Sequence, residues 1–315
     1  MSVWLEQDLK ISGIVLVPIG LGYVLGRLGV PRSAARRLFA FAFYGCQTFI
    51  TVAAIWIARI HAEARVLPLL ALGGWLVTAA AATLVSRRLS DESPRRGAFI
   101  LGMTLSNNGF TLLGLVAIAV FGDAGLAQAT YAQLLYTPFF LLCCFPIARA
   151  YERKAEQRPL AALLLRNALD PRVWVVLLAV GLGLCLNLGH VARPPVVATL
   201  TRVLIFVGTA ASSIAIGLLF NGFHLRRFWR EHLLSLLYRS TIYPALFWGA
   251  ARVAGLRALD ATILVLYGLV PSALLANMLA VFFDLDTDLT GSMFIVSTLL
   301  FLVCVLPLFL IAVAH

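Results

Sequence analysis

Two long apolar segments, residues 98–121 and 261–283, each carry polar or helix-breaking residues at the middle. Because a broken helix exposes backbone N–H groups with partial positive charge, each break can bind an anion. Asparagine amides and serine hydroxyls add hydrogen-bond donors. The sequence therefore predicts a carboxylate-binding site that needs no buried lysine or arginine. Its candidate residues are Asn107, Asn108, Gly109, Pro271, Ser272 and Asn277, with Ser106 as a further hydroxyl.

The same residues also have a structural interpretation. The asparagine side chains can cap backbone groups that a break sets free, and Gly109 and Pro271 are expected to make the breaks. Lipid cannot satisfy freed backbone groups, so such breaks persist only inside protein or beside a water-filled cavity. A matched pair of breaks in the two halves of a chain favours the substrate site of a transporter.

Arg239 is the one basic residue expected inside an apolar segment, in the run LLSLLYRSTIYPALF. Two interpretations stay open from the sequence. The guanidinium can snorkel to the cytoplasmic interface along its apolar stem. Alternatively, it faces a cytoplasmic cavity and attracts anions there, near Tyr238, Thr241 and Tyr243.

The other ionisable residues predict neither a metal site nor a cofactor. All 14 acidic residues are expected in loops or at span ends, whereas proton relays usually hold an ionisable group at mid-membrane depth. Coupling to protons or to sodium is therefore disfavoured, although sodium stays an alternative because carbonyls and hydroxyls can bind it. The five cysteines are expected to be buried apolar residues, and the five histidines show no metal-ligand spacing. The acidic hairpin Asp284, Asp286 and Asp288 is expected to be a solvated cytoplasmic turn, with a calcium or sodium site as the alternative.

The composition excludes an ordinary soluble domain, because 61% of the 315 residues are hydrophobic and the mean hydropathy is +0.95. We expect an all-α polytopic membrane protein with ten transmembrane helices, each about 20 residues long. Tyr44, Gln47, Thr48 and Thr51 dilute the apolar pattern of the second span and count against it. The spans are residues 11–28, 36–58, 66–86, 98–121, 125–150, 172–189, 196–220, 232–254, 261–283 and 291–313.

The net charge of +11 follows the predicted topology and does not indicate nucleic acid. Seventeen of the 25 basic residues fall in the loops after spans 1, 3, 5 and 7, and seven fall on the opposite side. Basic loops stay in the cytoplasm, so both termini are predicted to lie outside a cell membrane that the chain crosses many times. The partner expected for these basic loops is the lipid bilayer, through its anionic headgroups.

An internal repeat is indicated by matches at a nearly constant offset. Gly20-Leu21-Gly22 matches Gly181-Leu182-Gly183, Gly109 matches Pro271, and Pro146 matches Pro307, all at offsets of 161 or 162 residues. Five spans in each copy would invert the second copy in the membrane. The predicted division is a first repeat over residues 1–152, a cytoplasmic linker over 153–171 and a second repeat over 172–315.

A resemblance to a known family rests on two regions. Residues 105–125, LSNNGFTLLGLVAIAVFGDAG, resemble the fourth helix of the auxin efflux carrier family, where N-x-G-[FY]-x-G-[LI]-P precedes F-G-x-x-G. Residues 267–307 are similar to its last two helices, and residues 169–220 to its sixth and seventh. This chain lacks the closing proline and has Asn108 in place of a small hydroxyl residue. The matching residues are Asn107, Gly109, Phe110, Phe121, Gly122 and Gly125.

The resemblance implies a short, bacterial-type member with the ten-helix inverted-repeat fold of the bile acid:sodium symporter-like superfamily. In that fold broken helices 4 and 9 cross at the membrane midplane. Helices 1, 2, 6 and 7 form a scaffold, and the others form a moving transport unit. The resemblance also implies organic anions as substrates: auxin in plants and small carboxylates in some bacteria.

The sequence thus predicts a secondary transporter that moves a small organic anion outward by alternating access of an elevator type. Two alternatives on the same fold stay open, a sodium-coupled organic anion symporter of the bile-acid type and a non-transporting receptor. An intramembrane enzyme is disfavoured because the chain has no HExxH motif, paired membrane aspartates or serine–lysine dyad. Monomer and homodimer are both open.

Overall fold

The computed structural model describes residues 3–57, 63–109, 112–153, 171–220 and 225–314, and within these ranges the regular structure is helical. Most of the predicted linker, residues 153–171, lies outside the described residues. Four π-helical turns occur in the described part, at Phe41–Gln47, Phe140–Cys144, Tyr238–Ile242 and Phe301–Val305. The α-helices, numbered in chain order, are α1 (Val3–Arg27), α2 (Ser33–Ala40), α3 (Thr48–Trp56), α4 (Leu67–Leu89), α5 (Ser93–Thr104), α6 (Leu113–Ala132), α7 (Tyr136–Phe139), α8 (Phe145–Ala150), α9 (Pro171–Leu188), α10 (Pro195–Leu219), α11 (Trp229–Leu237), α12 (Tyr243–Val253), α13 (Ala258–Leu269), α14 (Leu274–Phe282), α15 (Thr287–Leu300) and α16 (Leu306–Ala314).

Several helices have the length and composition of membrane spans. Six in the described part are long and apolar enough to cross a bilayer: Asp8–Arg27, Ser33–Trp56, Leu67–Leu89, Leu113–Ala132, Pro195–Leu219 and Thr287–Val313. Large apolar side chains also stand on the outer surface, such as Val17, Leu84 and Leu308. Water would penalise that surface and lipid would not. These are the features of a polytopic membrane protein.

The two predicted breaks are present. α5 ends at Thr104 and α6 begins at Leu113, while α13 ends at Leu269 and α14 begins at Leu274. A further interruption occurs at Gly122, whose φ of 64° and ψ of −155° are not helical. The chain therefore bends at Gly122, at the boundary predicted between the fourth and fifth spans, and α6 consists of two helical parts on either side of this kink.

The helices form two groups by their packing. In the first, α1 packs along α10, α9 packs along α3, and α10 also contacts α2. In the second, α4 packs on α5, α12 on α13, and α5 and α14 both on α15. We call them the first and second helix groups. The two breaks belong to the second group.

Glycines bring the helices of the first group into close contact. A Cβ atom added at Gly22 of α1 would lie 2.2 Å from the carbonyl oxygen of Ile214 in α10. One added at Gly183 of α9 would lie 2.9 Å from Cβ of Ile55 in α3. The other glycine of each Gly-Leu-Gly motif, Gly20 or Gly181, has no such neighbour within 4 Å among the described residues. Corresponding positions of the two motifs thus make corresponding helix contacts, as small residues commonly do in membranes.

Basic residues from the loops predicted to be cytoplasmic meet at one end of the molecule. They line an open cavity of about 900 Å³ together with the acidic hairpin at residues 284–288. Those in its wall are Arg32, Arg36, Arg95, Arg153 and Arg227.

The expectation that all five cysteines are buried is wrong for two of them. Cys185 and Cys304 are exposed on the helix surface, while Cys46 and Cys144 are buried. Thiols tolerate an apolar exterior because they behave as small hydrophobic groups.

Candidate functional site

The two breaks meet and pair with each other through their backbones. The N–H of Asn107 donates to the carbonyl oxygen of Pro271 at 2.8 Å, and the N–H of Ala273 donates to that of Leu105 at 2.8 Å. Ser106 and Ser272 stand opposite each other as one antiparallel β-bridge. The helix ends therefore satisfy each other's extended backbone, which an apolar interior requires.

Ser272 joins this paired region, residues 105–107 and 271–273, which we call the crossing, to the helices behind it. Its N–H donates to Oγ of Ser297 in α15 at 3.1 Å, and its own hydroxyl donates to the carbonyl oxygen of Gly102 in α5 at 2.7 Å. Ser272 is completely buried. These contacts make it a structural member of the crossing.

Arg239 also lies at the crossing, which neither interpretation from the sequence anticipated. The residue is 3% exposed, so it does not snorkel and does not face a cytoplasmic cavity. Its Nη2 donates to the carbonyl oxygens of Gly102, Met103 and Leu105 at 2.9, 2.8 and 3.1 Å. Its Nη1 donates to Oγ of Ser106 at 2.6 Å and to the carbonyl oxygen of Val270 at 3.2 Å. The guanidinium thus caps the C-terminal ends of both α5 and α13.

A cavity of about 100 Å³ adjoins the other side of the crossing. Ser106, Asn107 and Gly109 of the first break contribute to its wall, as do Ala273, Leu274 and Leu275 around the start of α14. The remaining wall comes chiefly from the second span, residues Phe39 to Ile55, and from residues 130–145. The cavity therefore lies between the first helix group and the crossing.

The start of α14 offers uncommitted backbone donors to this cavity. Its N-cap residue, Ala273, supplies no side-chain cap. The N–H groups of Leu274 and Leu275 precede the first intrahelical acceptors, and in the described structure they have no backbone partner. By contrast, the N–H groups of Leu113 and Gly114, which start α6, donate to the carbonyls of Asn107 and Gly109. The positive end of α14 is thus the better anion site of the two.

Polar side chains on the opposite wall face the same space. Gln47 donates to Oγ1 of Thr51 at 3.1 Å on the second span. A Cβ atom added at Gly109 would lie 3.4 Å from Oε1 of Gln47, so the first break and this helix almost touch. Gln133 also lines the cavity and donates to the backbone carbonyl of Asn108. Polar groups of both helix groups thus converge on one space.

Aromatic rings form much of the remaining wall. Tyr136 stacks on Phe140, with ring centroids 6.1 Å apart, and Phe140 meets Phe145 edge to face at 5.2 Å. The rings in the wall are those of Phe39, Phe43, Tyr44, Tyr136, Phe140, Phe145 and Phe282. An apolar or aromatic ligand body can pack against such a wall.

The structure separates the predicted site residues into two sets. Asn107 and Gly109 line the cavity, whereas Asn108, Pro271, Ser272 and Asn277 lie behind its wall. Asn108 is fully buried, and in the described structure its side-chain amide makes no hydrogen bond. The side-chain oxygen of Asn277 points towards Gly291 of α15, 3.6 Å from the position of a Cβ atom there.

Sequence reasoning missed the wall provided by the second span. Gln47 and Thr51 stand in that wall, and their polarity inside an apolar span was the signal that could have located it. Polar residues within transmembrane segments usually face a bundle interior or a cavity. In the sequence these polar residues counted only as evidence against the second span, yet Ser33–Trp56 is one of six described helical segments long enough to cross a bilayer.

The chain was compared with known families and proteins. No family model matches it. It is 27% identical over 303 residues to an uncharacterized transporter from Methanothermobacter thermautotrophicus, a match covering 93% of this chain and 94% of that protein. The similarity therefore extends over nearly the whole chain and favours a membrane transporter over an enzyme.

Proposed function

We propose that this protein is a secondary transporter that moves a small organic anion, a carboxylate, outward across the cell membrane. The observation that carries the proposal is the orientation of the crossing. Leu274 and Leu275, whose N–H groups have no backbone partner among the described residues, line the cavity, while the C-terminal ends of α5 and α13 are capped by Arg239. The similarity to a protein named as a transporter supports this function.

The proposed fold is that of the auxin efflux carrier family, with ten helices in two inverted repeats and both termini outside. Two symmetrical features support it. The breaks pair at Ser106 and Ser272, and the second glycines of the two Gly-Leu-Gly motifs make matching close contacts. In this arrangement α5 with the start of α6, and α13 with α14, are the two crossing helices.

The proposed substrate carries a carboxylate on an apolar body. The carboxylate would accept hydrogen bonds from the amides of Leu274 and Leu275 and from the side chain of Asn107. The apolar body would pack on the ring wall between Phe43 and Phe145. Neither contact requires a charged protein group in the cavity, and in the described part the residues lining it carry no formal charge.

The proposed mechanism is alternating access of an elevator type. The cavity lies between the two helix groups, so a displacement of the second group would carry one wall past the other. The ligand would move with the crossing, whose backbones are hydrogen-bonded to each other and to α15. Gln47 and Thr51 would belong to the stationary wall.

Such a cycle would move one negative charge for each monovalent substrate. Arg239 is covalently attached, so its charge returns with the empty carrier and the substrate's charge alone is transferred. A membrane potential of about 100 mV, negative inside, would then drive export with about 2.3 kcal/mol, or nearly fifty-fold in concentration ratio.

The test is uptake and release of radiolabelled carboxylates by purified protein in liposomes under an imposed potassium diffusion potential. We expect export to accelerate with an inside-negative potential and to continue without sodium or proton gradients. Transport that ignores the potential but stops without a sodium gradient would instead identify the sodium-coupled symporter. A ligand that binds but never crosses would identify a receptor.

Binding to the site is tested by Asn107→Ala and Asn107→Asp. Loss of one hydrogen bond to a charged group costs about 1.5–3 kcal/mol, so Asn107→Ala should weaken binding about 10- to 150-fold. Asn107→Asp keeps the shape but adds a negative charge, and should weaken binding further. If Asn107→Asp instead strengthens binding, the ligand is a cation and the proposal is wrong.

A further inference from the structure

The guanidinium of Arg239 occupies a pocket built almost entirely from oxygen atoms. Four are backbone carbonyl oxygens, from Gly102, Met103, Leu105 and Val270, and the fifth is the hydroxyl of Ser106. They lie between 2.6 and 3.2 Å from its nitrogens. The carbonyls belong to the last turns and caps of two helices, each of which carries about half a negative charge at that end.

These oxygens would need a cation if Arg239 were absent. Lipid cannot solvate them, and buried carbonyls without partners cost free energy. Unwound carbonyls and half-helix C-terminal ends are the groups with which broken-helix transporters hold a sodium ion or proton. The pocket thus has the chemistry of a monovalent cation site, and a side chain fills it.

The side chain is held in place by its own surroundings. Arg239 stands in the π-helical turn Tyr238–Ile242, which shifts the side-chain directions relative to a regular helix. The rings of Tyr238 and Tyr243 stack on each other with centroids 5.3 Å apart, and the hydroxyls of Tyr238 and Thr78 lie 2.7 Å apart. The turn leads directly into α12, which packs on α13, so Arg239 belongs to the same helix group as the oxygens it contacts.

We propose that Arg239 is a tethered replacement for a coupling cation. The crossing then needs no sodium ion or proton to fold or to bind its ligand. The part of this inference that concerns coupling rests on the proposed transport function. The part that concerns the cation pocket does not depend on transport. Removing the side chain should convert the pocket into a site for a free monovalent cation.

The test compares thermal unfolding of purified protein in sodium chloride, choline chloride and low-millimolar methylguanidinium chloride at matched ionic strength. The parent Tm should be the same in all three salts. Arg239→Ala should have a lower Tm in choline, and sodium or methylguanidinium should restore most of the difference, since a ligand bound only to the folded state stabilises it. Arg252→Ala is the control, because Arg252 lies over the ring of Trp248, away from the crossing; its Tm should not depend on the salt.

Arg239→Lys keeps the proposal testable if Arg239→Ala does not fold. A lysine ammonium retains the charge but not the fork of donors. If the charge replaces a cation, Arg239→Lys should fold and unfold at the same Tm in sodium and in choline. If the Arg239→Lys variant instead needs sodium or methylguanidinium to reach its full Tm, the guanidinium of Arg239 acts through hydrogen-bond geometry and the proposal is wrong.

The parent protein provides two independent tests. A sodium-specific rise in the parent's Tm would overturn the inference, because the pocket would then be incomplete without an added cation. Transport that requires sodium would overturn it as well, while leaving anion transport itself intact. A parent protein that transports nothing would overturn the proposed function. If the Tm of Arg239→Ala still showed the expected salt dependence, the inference about the pocket would stand.

Discussion

The close contact between α1 and α10 predicts opposite effects for two neighbouring substitutions, Gly22→Ala and Gly20→Ala. At Gly22 a new Cβ atom would lie 2.2 Å from the carbonyl oxygen of Ile214, whereas at Gly20 it would meet no atom of the described part of the chain within 4 Å. The contact is reciprocal, because a Cβ atom at Gly217 would lie 2.1 Å from the carbonyl oxygen of Ile19. These oxygens are backbone atoms, so no side chain can rotate away to make room.

The magnitude follows from the distance. An ordinary Cβ contact begins at 3.4 Å, so α1 and α10 would have to separate by about 1 Å. Overpacking of this kind costs about 1–3 kcal/mol, while alanine gains about 1 kcal/mol over glycine inside a helix. We therefore expect Gly22→Ala to destabilise the protein by up to about 2 kcal/mol and Gly20→Ala to be neutral or stabilising by up to about 1 kcal/mol; since the alanine gain applies at both positions, the two variants should differ by the overpacking cost of about 1–3 kcal/mol.

The assay is thermal unfolding in detergent, followed by intrinsic tryptophan fluorescence. At about 2–4 °C for each kcal/mol, a difference of about 1–3 kcal/mol should separate the two Tm values by about 2–12 °C. Both substitutions replace the same residue type on the same helix, so differences in expression or detergent binding are controlled. Equal Tm values for the two variants would refute the close packing of α1 on α10.

Three further predictions concern the second motif, a buried ion pair and the topology. Gly183→Ala should lower the Tm relative to Gly181→Ala, because only Gly183 approaches α3 closely, and equal values would argue against matching roles in the two motifs. Glu231→Ala should cost about 3 kcal/mol, since the carboxylate is 2% exposed and pairs with Arg95 at 2.6 Å, whereas Glu6→Ala in an exposed pair should leave unfolding unchanged. Reporter fusions at residue 160 and after the C-terminus should lie on opposite sides of the membrane, and agreement between them would contradict the inverted repeat.

Local sequence was sufficient to predict where the helices break. Asparagine pairs, glycine and proline are poor helix formers whatever surrounds them, so α5 ends before Asn107 and α13 ends before Pro271. The apolar composition likewise predicts membrane helices without knowledge of their neighbours, because the bilayer itself is the solvent. The internal repeat, the family and the membrane topology, which were predicted from the same patterns, stay predictions.

The direction of a side chain depends on atoms far away in the chain. Arg239 is 137 positions from Gly102, yet its guanidinium lies 2.9 Å from that carbonyl oxygen. The sequence indicates only how deep Arg239 lies in its predicted span, and that depth suggested snorkelling. A π-helical turn and two buried helix ends made the inward direction favourable, and neither can be derived from the residues next to Arg239.

Thus the sequence by itself determined that the chain has apolar helices, two central breaks and polar groups beside them, because these depend on residue type and local spacing. Only the tertiary structure decided that the breaks pair through Ser106 and Ser272 and that Gln47 faces Gly109. It also decided which helix ends face the cavity and which face Arg239. The physical reason is that backbone groups freed by a break must find partners, and in an apolar interior those partners come from segments distant in sequence.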